Sequence, residues 1–251
     1  MAVSATASTT PASGERPPRS LIVLTVITAL SVGVSLYLTL IYANTDLEQG
    51  DVQRLFYIHM PSFFGAFFAF GATVLGGIQY LRTRQTRWDT LALAGVEVGL
   101  ALSIINLVTG SIWARPIWNT WWTWDARLTS AAIMVLTYAA YLMFRSGIEN
   151  PDTRRRFASV YGIVAITTVI LTLVIIRIVP DTIHPAVIGP SPQNAEGTFE
   201  ATTNVAIALI PNMIIWTTII PIALMWWRIR LENRLEAINR RKIALLSEDN
   251  T

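Results

Sequence analysis

Six stretches of nearly unbroken apolar sequence, separated by short clusters of charge, set the pattern of this chain. They run Leu21 to Ala43, Met60 to Leu81, Thr90 to Ile112, Leu128 to Phe144, Ala158 to Val179 and Val205 to Trp227. Most are 22 or 23 residues long, enough to cross a hydrocarbon layer of ~30 Å at ~1.5 Å per helical residue. The fourth has 17, at the lower limit, and is expected to extend back towards Asp125. The first follows Arg16 and Arg19 as a signal peptide would, but its 23 residues exceed an h-region of about 7–15, so it reads as a retained span. The pattern predicts an all-α polytopic membrane protein with six transmembrane helices and both termini on one side. Residues 1–20, rich in Ala, Ser, Thr, Pro and Gly, predict a disordered tail. Residues 21–227 form the membrane domain. Residues 228–251 form a basic tail, partly helical because Leu231, Leu235 and Ile238 repeat at helical spacing and Glu236 can pair with Arg240. This tail reads as a solvated juxtamembrane extension.

Composition sharpens the class. Of 251 residues, 53% are apolar and 14% charged, and the mean hydropathy is +0.48. A soluble domain has about 25% charged residues, so a soluble enzyme domain, a disordered chain and a nucleic-acid module are excluded. The basic excess, a net charge of +3, is topological. Fifteen of the 19 Lys and Arg residues lie in the N-terminal tail, the second-to-third loop, the fourth-to-fifth loop and the C-terminal tail. The positive-inside rule makes that face, and both termini, cytoplasmic. The remaining loops, Asn44 to His59, Trp113 to Arg127 and Pro180 to Asn204, then face outward. There is no cysteine, hence no disulfide, thiolate metal site or thioether-linked haem.

The candidate chemistry gathers on the outer face. His59 and His184, the 2 histidines of the chain, both fall there. Between them in sequence, Trp113, Trp118, Trp121, Trp122 and Trp124 place five of the 9 tryptophans in twelve positions. An aromatic belt needs one or two Trp per span end. Five in one loop favour a platform for a large, flat, apolar ligand with polar edges, on which indole faces stack while indole N–H groups donate. Haem fits these features. Its iron takes two axial imidazoles, here His59 and His184, and is held non-covalently as in b-type haem proteins. Its propionates suit Arg54, Arg115 and Arg127. Arg127 has a second reading, an ion pair with Asp125 that fixes the loop, and the two readings stand equal. Arg177, at the end of the fifth span, is expected to snorkel.

Within the spans the signals are less specific. Glu97 is expected to be paired or neutral in a structural role, with proton relay as the alternative. It lies in Gly95-Val96-Glu97-Val98-Gly99, a spacing that permits close helix contact. Asn106 falls on a different face of that helix. Pro211 and Pro221 should kink the last span. No ATP-binding motif, Ser/His/Asp arrangement or carboxylate pair is present.

These residues resemble a known family. Trp118 to Asp125 followed by Ala126-Arg127-Leu128-Thr129-Ser130 is similar to the tryptophan-rich motif of haem-handling membrane proteins. Leu107-Val108-Thr109-Gly110-Ser111 and Tyr57-Ile58-His59-Met60-Pro61 match as well. With chain length and six spans, they make the sequence resemble the haem exporter protein C, or cytochrome c maturation protein C, family. The close match covers Asp51 to Gly65 and Asn106 to Ser130. Elsewhere the likeness is one of topology.

The resemblance implies a subunit without catalysis of its own, in a bacterial-type inner membrane, that holds haem at the outer, periplasmic face. His59 and His184 would be the axial ligands. Trp118, Trp121, Trp122, Trp124 and Asp125 would form the platform and chaperone surface. The implied partners are a membrane-anchored haem chaperone, an ATP-binding-cassette complex of ATPase and membrane subunits, and a small single-span subunit, with the lipid bilayer as solvent. Two positions depart from the family pattern. Asn119 stands where relatives have Gly, and the segment Val179 to Ile183 lacks the Trp that relatives often carry. The chain also has too few histidines for the intramembrane pair of the larger cytochrome c synthetases. Two other classes remain open from sequence: the haem-binding anchor of a redox enzyme, which normally needs histidines inside its spans, and a permease for another amphipathic substrate.

Overall fold

The computed structural model describes residues 17–179, 181–184 and 202–248. The expected tail over residues 1–16 and most of the loop after His184 lie outside the described residues. The described residues contain seven α-helices: α1 (Arg19–Tyr37), α2 (Phe56–Thr83), α3 (Thr86–Trp118), α4 (Ala126–Ser146), α5 (Pro151–Ile178), α6 (Thr203–Ile214) and α7 (Ile220–Glu248). A π-helical turn, Leu38–Tyr42, extends α1, and another, Ile215–Ile219, joins α6 to α7. Six of the resulting helical stretches are long and apolar enough to cross a membrane. The chain is a multi-pass helical membrane protein, as its hydrophobic pattern predicts.

The ends of the helices follow local chemistry. Asp125 caps α4 by accepting the Leu128 N–H at 2.9 Å, and Asn150 caps α5 through the Thr153 N–H at 3.0 Å; each satisfies an orphan donor of the first turn. So α4 does reach back to Asp125. At the other end α3 runs six residues past the apolar stretch that predicted it, through Pro116 to Trp118. Proline removes one backbone donor, but here the loss falls in the last turn, where Arg115 donates to the Asn119 carbonyl at 2.9 Å. Asn119 then ends the helix in the left-handed region, φ 54°. Asn tolerates that region better than most residues, so the turn forms here without a glycine. Helix α7 continues unbroken to Glu248, beyond the point where the apolar sequence stops. Between Pro211 and Pro221 the last span takes the π turn, which absorbs the missing backbone donors.

Helix α2 is central, packed along α3 and also against α5 and the last span. Small residues allow the approach. A Cβ on Gly95 of α3 would lie 2.5 Å from the Ala69 carbonyl oxygen of α2, so any larger residue would push the helices apart. Thr73 seals the same contact by donating to the Ala92 carbonyl at 3.1 Å. Beside this seam Phe70 stacks on Tyr138 with ring centroids 3.6 Å apart, and Val96, Leu102, Met134 and Val169 complete the core. Helix α1 lies outside and is tied to the last span by polar bonds: Ser35 to Asn212, Trp216 Nε1 to Ser35 at 3.0 Å, and Trp227 Nε1 to Thr25 at 2.8 Å.

Charged residues are paired at one end of the bundle. Asp89, 4% exposed, accepts from both terminal nitrogens of Arg145 at 2.7 and 2.6 Å, with Arg155 at 3.7 Å. Glu97 is bound by Arg228, which also reaches Glu232 at 2.7 Å. Glu97 is therefore a paired carboxylate joining α3 to α7, the structural role expected of it.

Candidate ligand-binding site

The opposite end of the bundle holds a cavity of about 760 Å³ among α2, α3, α4, α5 and the start of α6. Small-molecule and cofactor sites span about 300–1,000 Å³. Both histidines line it, with Trp113, Trp118, Trp121, Trp122 and Arg127. The fold thus joins residues from sequence positions 59, 113–127 and 184 at one place.

His59 sits near the start of α2 and is held by one face of α3. Its Nδ1–H donates to the Asn106 carbonyl at 2.9 Å, with Thr109 Oγ1 at 3.3 Å. The Asn106 amide in turn donates to the His59 carbonyl at 2.7 Å. Gly110 lies against the ring; a Cβ there would stand 2.7 Å from His59 Cε1. Trp113 meets the ring edge-on, centroids 5.8 Å apart, and is fixed by its Nε1–H donating to Gln49 at 2.9 Å. With Nδ1 committed, Nε2 carries the free lone pair. Asn106, Thr109, Gly110 and Trp113 fall at i, i+3, i+4 and i+7, one helical stripe.

His184 is carried by the segment after α5. Its ring packs against Trp118, centroids 5.6 Å apart, and its Nδ1 faces Asp125 Oδ2 at 3.6 Å. Burial pushes the imidazole below its ordinary pKa, more than the neighbouring Asp125 carboxylate raises it. The neutral form, the one that ligates metals, is thereby favoured. Asp125 is itself held below the usual carboxylate range. Burial works against this, but the Leu128 N–H, His184 and the Thr182 and Thr123 hydroxyls outweigh it.

The three candidate arginines take different places. Arg54 donates to the Leu40 carbonyl and pairs with Asp51 at 3.2 Å, anchoring the first loop. Arg115 closes the end of α3. Arg127 lines the cavity with its guanidinium 5.3 Å from the centre of the Phe63 ring. It makes no ion pair among the described residues, so Asp125 is not its salt-bridge partner. Trp122 Nε1 is buried without a hydrogen-bond partner among the described residues, which places a second donor at the cavity. Trp124 stands 76% exposed, edge-on to Trp122. Arg177 also lines the cavity and donates to the Leu173 carbonyl at 3.2 Å.

Fold and site together define a polytopic helical membrane protein with a cavity rich in tryptophan at one end of its bundle. The profile of the heme exporter protein C family matches residues 9–243, and the chain belongs to that family. It is similar to heme exporter protein C of Bradyrhizobium diazoefficiens, 32% identical over 141 residues, covering 56% of this chain and 53% of that one. The namesake in Haemophilus influenzae is 30% identical over 149 residues, 59% of each chain. That of Escherichia coli K12 is 30% identical over 129 residues, 50% of this chain and 51% of the relative. The aligned part spans about half to three-fifths of the length of these curated relatives.

Proposed function

We propose that this protein is a haem-handling subunit of cytochrome c maturation, which presents haem at the outer face of the membrane and passes it to a membrane-anchored haem chaperone. Haem is its cargo, and the protein performs no bond-making step on it. The reading rests on one observation above all: two imidazoles from distant segments line the same cavity as three motif tryptophans and an arginine that has no ion-pair partner among the described residues. Two protein donors are too few to close a metal site by themselves, whereas an iron porphyrin brings four nitrogens and needs only two axial ligands. The donor set therefore fits non-covalent, bis-imidazole haem. Arg127 and the Trp122 indole N–H suit the propionates. Exposed Trp124 and the outer face of Trp121 suit the chaperone.

The protein sits in a bacterial-type inner membrane with both termini in the cytoplasm and the cavity on the periplasmic side. It works beside an ATP-binding-cassette complex of ATPase and membrane subunits and a small single-span subunit. The positive-inside distribution of charge supports the orientation, and the family's name supports the context.

The test is spectroscopic. Purified with haem, the wild-type protein is expected to give a low-spin, bis-imidazole absorption spectrum and to transfer haem to its chaperone. His59→Ala and His184→Ala should each lower haem content, change the spectrum and stop transfer. Wild-type haem content and spectrum in both single variants would refute the reading.

A further inference from the structure

The two candidate ligands are supported by unlike groups. His59 donates its Nδ1–H to a neutral backbone carbonyl, that of Asn106. Among the described residues His184 Nδ1 is buried with no hydrogen-bond partner, and a carboxylate oxygen, Asp125 Oδ2, faces it at 3.6 Å.

The Asp125 side chain is only 9% exposed, and its two oxygens do different things. Oδ1 accepts the Leu128 N–H at 2.9 Å and so starts α4. Oδ2 accepts from Thr123 Oγ1 at 3.1 Å and from the Ile183 backbone N–H at 3.4 Å, and it confronts the imidazole of the next residue, His184. One side chain thus joins the tryptophan loop, the start of α4 and the segment that carries the second histidine. A carboxylate next to Nδ1 draws the imidazole proton to that nitrogen and leaves the lone pair on Nε2. Metal-bound histidines commonly donate their other N–H to such a group, which fixes the ring and raises its basicity.

We infer that Asp125 is the positioning residue of the His184 ligand: its Oδ2, an anion facing Nδ1 at 3.6 Å, orients the imidazole electrostatically and makes His184 the stronger electron donor of the two. This inference rests on the haem reading above. The two axial positions are then unequal. The His59 side is set by neutral groups of a packed helix, and the His184 side by an anion that also holds the loop.

The cap and the ligand support can be separated, because Asn caps a helix as well as Asp does but carries no charge. Asp125→Asn should keep the thermal midpoint of the haem-free protein. Loaded with ferric haem, it should show a higher Fe(III)/Fe(II) midpoint potential, since a weaker donor stabilises ferric iron less. Haem loss to apomyoglobin should quicken by roughly ten- to hundredfold, the usual cost of removing such a partner. Asp125→Glu, which keeps the anion, should lie between Asp125→Asn and wild type in both measurements. In a His184→Ala background, Asp125→Asn should produce no further change in potential. A wild-type potential and off-rate in Asp125→Asn, with His184→Ala still altering the spectrum, would reduce Asp125 to a helix cap and overturn the inference. If His184→Ala itself keeps the wild-type spectrum, the haem-ligand reading fails first, and the inference fails with it.

Discussion

Arg127 shows how far a single residue can be read in advance. Its sequence context left an ion pair with Asp125 and a contact with a ligand acid equally open. The fold separates them, because Asp125 turns to His184 and to its own helix, while the Arg127 guanidinium lies over Phe63 at the cavity. A half-buried cation with no carboxylate paired to it among the described residues is costly, and an acidic ligand edge would relieve it. Wild-type protein is therefore expected to bind haem more tightly than haem dimethyl ester, which has no free acid. Arg127→Met should erase roughly ten- to hundredfold of that preference, the worth of a hydrogen bond to a charged group. Equal loss of affinity for both porphyrins, measured by equilibrium titration, would contradict the assignment. His59, His184 and the tryptophans were legible because their residue types are rare and clustered. The support from Asn106 and Gly110 was not, since it acts through a backbone carbonyl and an absent side chain, which residue type does not advertise.

Among the elements, the hydrophobic pattern located the six spans found among the described residues, because a single segment crossing lipid must satisfy its backbone groups within itself and so forms an apolar helix. It located their ends less well. Arg115 and Pro116 look like loop, yet α3 runs through both, and the outer loop shrinks to Asn119–Asp125. Pattern also misses which charges meet. Asp89, in the first turn of α3, binds Arg145 at the end of α4 and lies near Arg155 in α5. Asp89→Ala leaves the largely buried Arg145 without its anion, while Arg155 keeps Asp152 and Glu236, and should cost about 3–5 kcal/mol. Unfolding in detergent monitored by circular dichroism will read this as a lowered midpoint. The double variant Asp89→Ala with Arg145→Leu should recover part of the loss, which a simple packing defect would not.

For the whole molecule, the lack of cysteine makes topology directly measurable. Leu47 is fully exposed in the first loop on the cavity side, and Gln85 is exposed in the tight turn between α2 and α3 at the other end. A single cysteine replacing Leu47 should react with a membrane-impermeant maleimide on spheroplasts. One replacing Gln85 should react only after permeabilisation. The reverse pattern would invert the orientation and move the cavity to the cytoplasm.

The division between ion pairs and cavity has a practical corollary. Among the described residues the buried ion pairs are concentrated at one pole, where Asp89, Glu97 and their arginines bolt four helices together, while the other pole is an aromatic mouth with fewer such staples. Lesions at the mouth should thus disable cargo handling in a molecule that still melts normally, and lesions at the bolts should do the opposite. Calorimetry beside haem titration would sort an unassigned variant of this protein to its pole without a new structure.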